Sequence, residues 1–567
     1  MPKRIAITIA GAVSLGSYEA GVLYELLRAI RTNNEAAAGE DDKIYIDVIT
    51  GASAGGMTAA MVAQRLMYDA ASLEGEFKNS LYEAWVERIS LLGLARMRWS
   101  ERKWHSLFSS DLIESIGEDM LVNSMREKGS GPHAAVEKVN GVPETLRVGL
   151  ALTNLNGIDY MIPILGSDEG GFNYTSSVDQ KIFEVAADGQ MDHKQWKQMC
   201  AAAVGSGAFP VAFRPKAIEH SVKEYGERLP ADRRLWQQGK VYVDFVGRSP
   251  AEFAHSDGGV LQNQPLGIAK NLVDEAVAER EARLGQAAHC DSGDRLYVFV
   301  SPHSVKSTAQ KLYAEKITIL DELKQLVSVY TRQAMFHDWI TAEAVNQKIT
   351  VLDTRASQLA DIIVQGYVDT AALAKASGEI NAMLMPNQEP GRIARLREQY
   401  SVKYKQVADA VGFDAAEAFI AAIATLEAAA HLEDRDKMKI VAVVADAQKE
   451  LAGSGLAAFV GFFKKSFRRH DYWVGRVKTR VYLRRNDVKK ILGVTKWPEE
   501  DSWTPTLPNP SGVSLPLSKF QVVRAAIVPA VIMVLIRPAL FLTLVVLSGA
   551  MVAVLWYLLH RAGIHLI

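Results

Sequence analysis

Ser53 lies in Gly51-Ala52-Ser53-Ala54-Gly55, a G-x-S-x-G pattern preceded by the apolar run IYIDVIT (44–50) and followed by a helical pattern. A strand, a sharp glycine turn and a helix together lift a serine hydroxyl clear of a sheet, ready for nucleophilic attack. Gly51 and Gly55 flank the turn because a side chain at either place would meet neighbouring backbone. The turn also sets the hydroxyl at a helix N-terminus, whose unpaired N–H groups favour negative charge. The pattern alone is common in long chains. Its flanking elements make Ser53 a candidate nucleophile, against the plainer reading of a small-residue turn packed under a sheet.

Acyl transfer also needs backbone N–H donors aimed at a developing oxyanion. Gly11-Ala12-Val13-Ser14-Leu15-Gly16 follows the first apolar run, IAITIA (5–10), and precedes a helical pattern from Ser17 to about Arg31. Such a loop can provide those donors. A phosphate loop is the rival reading, since Gly11 and Gly16 have G-x-x-x-x-G spacing and Ser17 follows. The lysine of that motif is absent, which argues against nucleotide binding. Far downstream, Ser256-Asp257-Gly258-Gly259 places a carboxylate beside two glycines, where it can approach another backbone closely. Read alone, it is a plain D-G turn.

In this order and spacing, the three elements resemble the patatin-like phospholipase family. That family has a glycine-rich oxyanion loop after the first strand, G-x-S-x-G about 40 residues later, and a distant D-G-[GA] motif; here these are Gly11–Gly16, Gly51–Gly55 and Asp257-Gly258-Gly259. The small-residue segment Ala203–Pro210 is similar to one that precedes the Asp motif in the family. The resemblance covers roughly residues 5 to 265. It implies a Ser-Asp dyad without a catalytic histidine. Ser53 would be the nucleophile, Asp257 the proton acceptor, and the 11–16 loop the oxyanion hole. It implies a phospholipid or other acyl-ester lipid substrate, an acyl-enzyme, and no cofactor. One departure stands out: the family loop is usually G-G-G-x-[RK]-G, whereas Ala12 and Val13 replace two glycines here and Leu15 stands at the basic position. Backbone donors survive these changes, but one electropositive group near the site is lost.

A sheet has to hold these residues. IAITIA (5–10), IYIDVIT (44–50), LRVGLALTNL (146–155), VYVDFVG (241–247) and RLYVFVS (295–301) read as strands with helical stretches between them. Continuous apolar strands alternating with helices predict an α/β fold with a central, mostly parallel sheet flanked by helices. On this reading residues 1–305 form the catalytic domain and 306–460 a helical region. Residues 461–520 form a basic, aromatic segment and a proline-rich linker, in which 498–516 hold five of the 19 prolines. Residues 521–567 form a membrane anchor. Its span is Ala539–Leu559, 21 residues without a charge. As a helix that is roughly 31 Å, about the thickness of a bilayer's hydrocarbon core. A shorter apolar run, Ala525–Ile536, precedes it, and Arg537-Pro538 separates the two. Lys3-Arg4 and the apolar run after it imitate a signal peptide, but cleavage there would remove the 11–16 loop, so the first-strand reading is preferred.

Composition sets the outer limits. The chain has 567 residues, 64 Lys+Arg against 65 Asp+Glu, and 49% hydrophobic residues. That excludes a wholly disordered chain and gives no overall charge to attract nucleic acid. Two cysteines, Cys200 and Cys290, exclude a disulfide scaffold and fit a reducing compartment. The 12 histidines show no metal-ligand spacing, so no metal site is expected. Lys464–Lys490 carries 11 Lys/Arg and two Asp, interleaved with aromatics. It reads either as a contact for anionic lipid or as a charged face packed on the catalytic domain, and it suggests a cytoplasmic side for the catalytic part. Two other functions stay open: an α/β-hydrolase triad with His303 as base, and a catalytically weak lipid-binding scaffold. His255, two residues before Asp257, is given no role.

Overall fold

The first apolar run forms β1 (Lys3–Ile9), and α1 (Gly16–Ala36), β2 (Ile44–Gly51) and α2 (Ala54–Tyr68) follow it. These come from a computed structural model that describes residues 2–95, 106–124, 141–163, 171–186, 193–221, 251–284, 295–303, 319–367, 369–384, 413–429, 438–503 and 509–515, with a few single residues besides. The chain continues through β3 (Thr145–Pro163), β4 (Gly171–Ala186), α3 (His193–Ser206), β5 (Lys216–His220), β6 (Ala251–Asp257), α4 (Leu266–Leu284) and β7 (Leu296–Ser301). Then come α5 (Ile319–Val364), α6 (Thr370–Leu384), α7 (Phe413–Ala429), β8 (Lys439–Val444) and α8 (Lys465–Leu483).

The strands form one sheet in the order β5-β6-β3-β2-β1-β7-β8, with β4 also on β3. From β3 to β8 the neighbours along this order run parallel; β4 and β6 run antiparallel to β3, and β5 antiparallel to β6. Side chains alternate across a strand. Ile5, Ile7 and Ile9 of β1 and Leu296, Val298 and Val300 of β7 therefore pack with α1, α2 and α3 on one face. Ala6, Val48 and Tyr297 face the other way, onto Ile268 and Leu272 of α4 and Ala342 of α5. Cover on both faces explains why these strands read as unbroken apolar runs.

The structure departs from the sequence reading in three places. The run 241–247 lies outside the described residues, and a strand that the sequence reading did not include, β6, leads into Asp257 and its turn. AEFAHSD lacks both a continuous apolar run and a regular alternation, which hid that strand. Residues 306–460 are not all helical: KIVAVV forms β8 and hydrogen-bonds to β7, so the expected boundary at 305 cuts through one sheet. The basic stretch is not a lipid-facing surface along its length; of its two readings, the packed charged face holds for α8. Its α8 lies against α1, where a Cβ on Gly21 would come 2.0 Å from the Tyr472 carbonyl oxygen and one on Gly475 would come 2.2 Å from that of Tyr18. Arg476 and Arg480 point inward to the buried Glu25 carboxylate at 2.9 and 2.5 Å. Buried cations of this kind are satisfied by partners and do not need a membrane. Among the described residues no helix is long and apolar enough to cross a membrane. The run 539–559 lies outside those residues, as does nearly all of 525–536.

Candidate active site

Ser53 occupies the turn from β2 to α2 with φ +55° and ψ −126°. A non-glycine residue pays strain in this region, and such strain persists where the surroundings over-determine it. The surroundings here are tight. A Cβ on Gly51 would lie 2.2 Å from the Gly55 carbonyl oxygen, and one on Gly55 2.5 Å from that of Ile9. The Ser53 N–H donates to Ser206 Oγ at 3.0 Å, and Ser206 Oγ donates to the Ala151 carbonyl at 2.8 Å.

Asp257 closes β6 opposite Leu152 of β3. Ser53 Oγ donates to Asp257 Oδ2 at 2.6 Å, and the Gly259 N–H donates to Oδ1 at 2.6 Å. Gly258 allows this turn, because a Cβ there would meet the Ala151 carbonyl oxygen at 2.0 Å. Around them, the Asp257 N–H and Ser256 Oγ both donate to the Ala208 carbonyl, and Thr153 Oγ1 donates to the Asp257 carbonyl. Both Ser53 and Asp257 are buried. Burial pushes the Asp257 carboxyl up to about 7, against the hydrogen bonds from Ser53 and Gly259 that pull it down.

The 11–16 loop lies beside Ser53: a Cβ on Gly11 would sit 3.1 Å from Ser53 Cβ and 2.1 Å from Asn263 Oδ1. Within the loop, the Gly11 N–H donates to the Asn263 carbonyl, Leu15 N–H to Ala12, and Gly16 N–H to Val13. Among the described residues the Ala12, Val13 and Ser14 amides are engaged in no such bond, so they are the donors the loop can offer. Val13 sits at φ +52°, a left-handed backbone that costs an L residue about 1–2 kcal/mol. The glycine-to-valine departure therefore carries strain that the sequence did not reveal.

An apolar pocket opens from Ser53, lined by Val13, Met57, Trp85, Phe209 and Phe462 among others. Phe462 comes from the short turn Val460–Phe463 just before α8, far outside the resemblance. Arg468 on α8 holds that turn by donating to the Gly461 and Phe462 carbonyls at 3.0 and 3.3 Å. Ser14 Oγ donates to the Ala458 carbonyl from the oxyanion loop side.

His303 follows β7, and among the described residues no hydrogen bond joins it to Ser53 or Asp257. Burial holds its imidazole below the usual range. His255 points instead to Asp179 Oδ2 at 2.9 Å. Asp179, His220 and His255, scattered in the sequence and without metal-ligand spacing there, converge in the fold. Sequence reasoning also missed Ser206, Thr153 and Phe462. The first had a signal: Ser206 is the one polar side chain in the Ala203–Pro210 segment already singled out.

A strained serine on a strand-to-helix turn, bonded to a buried carboxylate beside an amide-bearing loop, has the parts that serine acyl transfer requires. Residues 7–270 match the family model of patatin, described as patatin-like phospholipase. An uncharacterized protein, y4iI, of Sinorhizobium fredii (strain NBRC 101917 / NGR234) is 23% identical over 365 residues, 53% of this chain and 49% of that protein. The chain thus spans about half the length of the curated relative it matches.

Proposed function

We propose that this protein hydrolyses fatty-acyl esters of phospholipids or related lipids through Ser53 and Asp257. The observation that carries the reading is the 2.6 Å Ser53–Asp257 hydrogen bond at the mouth of an apolar pocket. Asp257 takes the Ser53 proton as Oγ attacks the ester carbonyl. The oxyanion turns to amides among Ala12, Val13 and Ser14, with the Ala54 N–H at the start of α2 beside them. Asp257 returns the proton to the departing alcohol or lysophospholipid. It then accepts one from the water that attacks the acyl-enzyme and passes it to Ser53 Oγ as the fatty acid is released. The acyl chain lies in the pocket of Met57, Trp85, Phe209 and Phe462, where contact is apolar and independent of head group.

The geometry at His303 supports the dyad over a Ser-His-Asp triad. The bonded nucleophile supports an enzyme over an inert lipid-binding scaffold. Membrane attachment through 539–559 belongs to this reading on the strength of the sequence alone, and resistance of the full chain to alkaline extraction from membranes tests it. For the chemistry, Ser53→Ala in liposomes of phosphatidylcholine and phosphatidylglycerol should abolish both fatty-acid release and fluorophosphonate labelling. Labelling and release that persist in the variant would refute the nucleophile. A folded wild type with neither signal would refute the enzyme.

A further inference from the structure

We propose that Asp179, His220 and His255 bind one divalent transition-metal cation of the zinc type, at a site separate from the Ser53–Asp257 pair. The three residues come from three strands, β4, β5 and β6, and all three are buried. Their ligand atoms lie within 4.8 Å of one another. His255 Nε2 is 2.9 Å and His220 Nε2 3.8 Å from the same oxygen, Asp179 Oδ2. Two ligands held at about 2.1 Å from one tetrahedral ion stand roughly 3.4 Å apart, and the observed spacings fall on either side of that value.

The outer atoms fix the ring orientations. His255 Nδ1 lies 2.9 Å from the Phe253 carbonyl, which can only accept, so Nδ1 carries a hydrogen. His220 Nδ1 lies 3.0 Å from Glu224 Oε2, a carboxylate that also takes hydrogen bonds from Lys181 Nζ. With both Nδ1 atoms acting as donors, both Nε2 atoms turn inward to the Asp179 carboxylate. An Nε2 lone pair facing a carboxylate oxygen is repulsive unless a proton or a metal cation lies between them. A histidine whose outer nitrogen is held by a carboxylate or a carbonyl is the usual support for a metal ligand. Asp179 is aimed in turn by Asn154 Nδ2 at 3.2 Å and by the Gln180 N–H at 2.7 Å.

Two imidazoles and one carboxylate form a nitrogen–oxygen set suited to zinc and its neighbours, with a fourth position for water. The ion would tie β6 to β4 and β5 two residues before Asp257. We assign it a structural part in holding that strand and no step of the chemistry. The inference does not depend on the acyl-hydrolase reading.

The test uses the full chain, stripped with chelator and titrated with zinc by calorimetry, with metal content read by mass spectrometry. Wild type should hold about one zinc per chain, melt higher with zinc than with chelator, and take cobalt with a visible absorption spectrum of low coordination number. His220→Ala should lose the bound zinc and the melting shift. His220→Gln, which keeps a polar side chain of similar size, covers the case in which the alanine variant does not fold. It should weaken zinc at least tenfold. A folded wild type that takes up no zinc, or a glutamine variant that keeps full stoichiometry and affinity, overturns the proposal. In that event a proton shared between His255 and Asp179 supplies the positive charge.

Discussion

Phe462 offers the sharpest test of how the chain beyond the family match shapes the site. Its ring is 5% exposed and lines the pocket that holds Ser53. Phe462→Ala removes that ring and leaves room for roughly three methylenes at about 0.8 kcal/mol each. The gain of about 2.4 kcal/mol for a longer acyl chain corresponds to roughly fiftyfold in kcat/KM, within the range that extra methylenes can supply. The same truncation costs about 3–5 kcal/mol of stability, so Phe462→Leu serves as the milder companion. The assay is kcat/KM across a series of p-nitrophenyl esters of increasing acyl length, with circular dichroism to establish folding. The optimum should move to chains two or three carbons longer in the alanine variant and by less in the leucine variant. A folded Phe462→Ala protein with an unchanged optimum would mean that the acyl chain does not enter this pocket.

Further predictions concern the nucleophile's supports and the packing behind them. Ser206→Ala leaves the Ser53 N–H without its acceptor, at about 1–3 kcal/mol, and should lower kcat about 10–100-fold while leaving KM unchanged; steady-state kinetics checks this. Asp257 must be ionised to accept a proton, so kcat/KM should rise as pH increases through about 7, and a flat profile from pH 5 to 9 would contradict that role. Because the folded state holds that proton more tightly than the unfolded state, the stability it contributes is lost as pH rises towards 7. Asp257→Asn should therefore be inactive yet melt higher than wild type at about pH 8, with the gap closing at about pH 4. Val13→Gly relieves a left-handed β-branched residue and should raise stability by up to about 1 kcal/mol, read by chemical denaturation; a loss would show that the valine side chain outweighs its strain. Gly21→Ala drives a Cβ to 2.0 Å from the Tyr472 carbonyl and should separate α1 from α8, seen as a lower melting temperature or failure to fold.

Much of this site was legible before any coordinates. Gly51, Gly55 and Gly258 each stand where a Cβ would meet backbone at 2.5 Å or less, so the crowding that forms the turns is written directly into residue type. The apolar strands β1, β2 and β7 were legible because each is covered on both faces. Strands with mixed composition, such as β4 and β6, were not, since polar residues such as Asp179, Lys181, His255 and Ser256 serve buried contacts while others face solvent. His255 illustrates this: it is fully buried and bonded to Asp179, yet in sequence it looks like any isolated histidine. The basic stretch left two readings open in the sequence, and the packed charged face is the one that holds for α8, whose arginines meet Glu25 and the Val86 carbonyl from distant parts of the chain.

By itself the sequence determined the Ser53 turn, the glycine loop, the Asp257 motif and the apolar run at 539–559, because each follows from steric or solvation demands within a few residues of chain. Only the tertiary structure decided that Asp257 accepts from Ser53, that Ser206 holds the nucleophile's amide and that Phe462 walls the pocket. It alone brought Asp179, His220 and His255 together. Those contacts join strands and helices far apart in the chain, and their distances depend on sheet order and packing, which no local pattern of residues encodes.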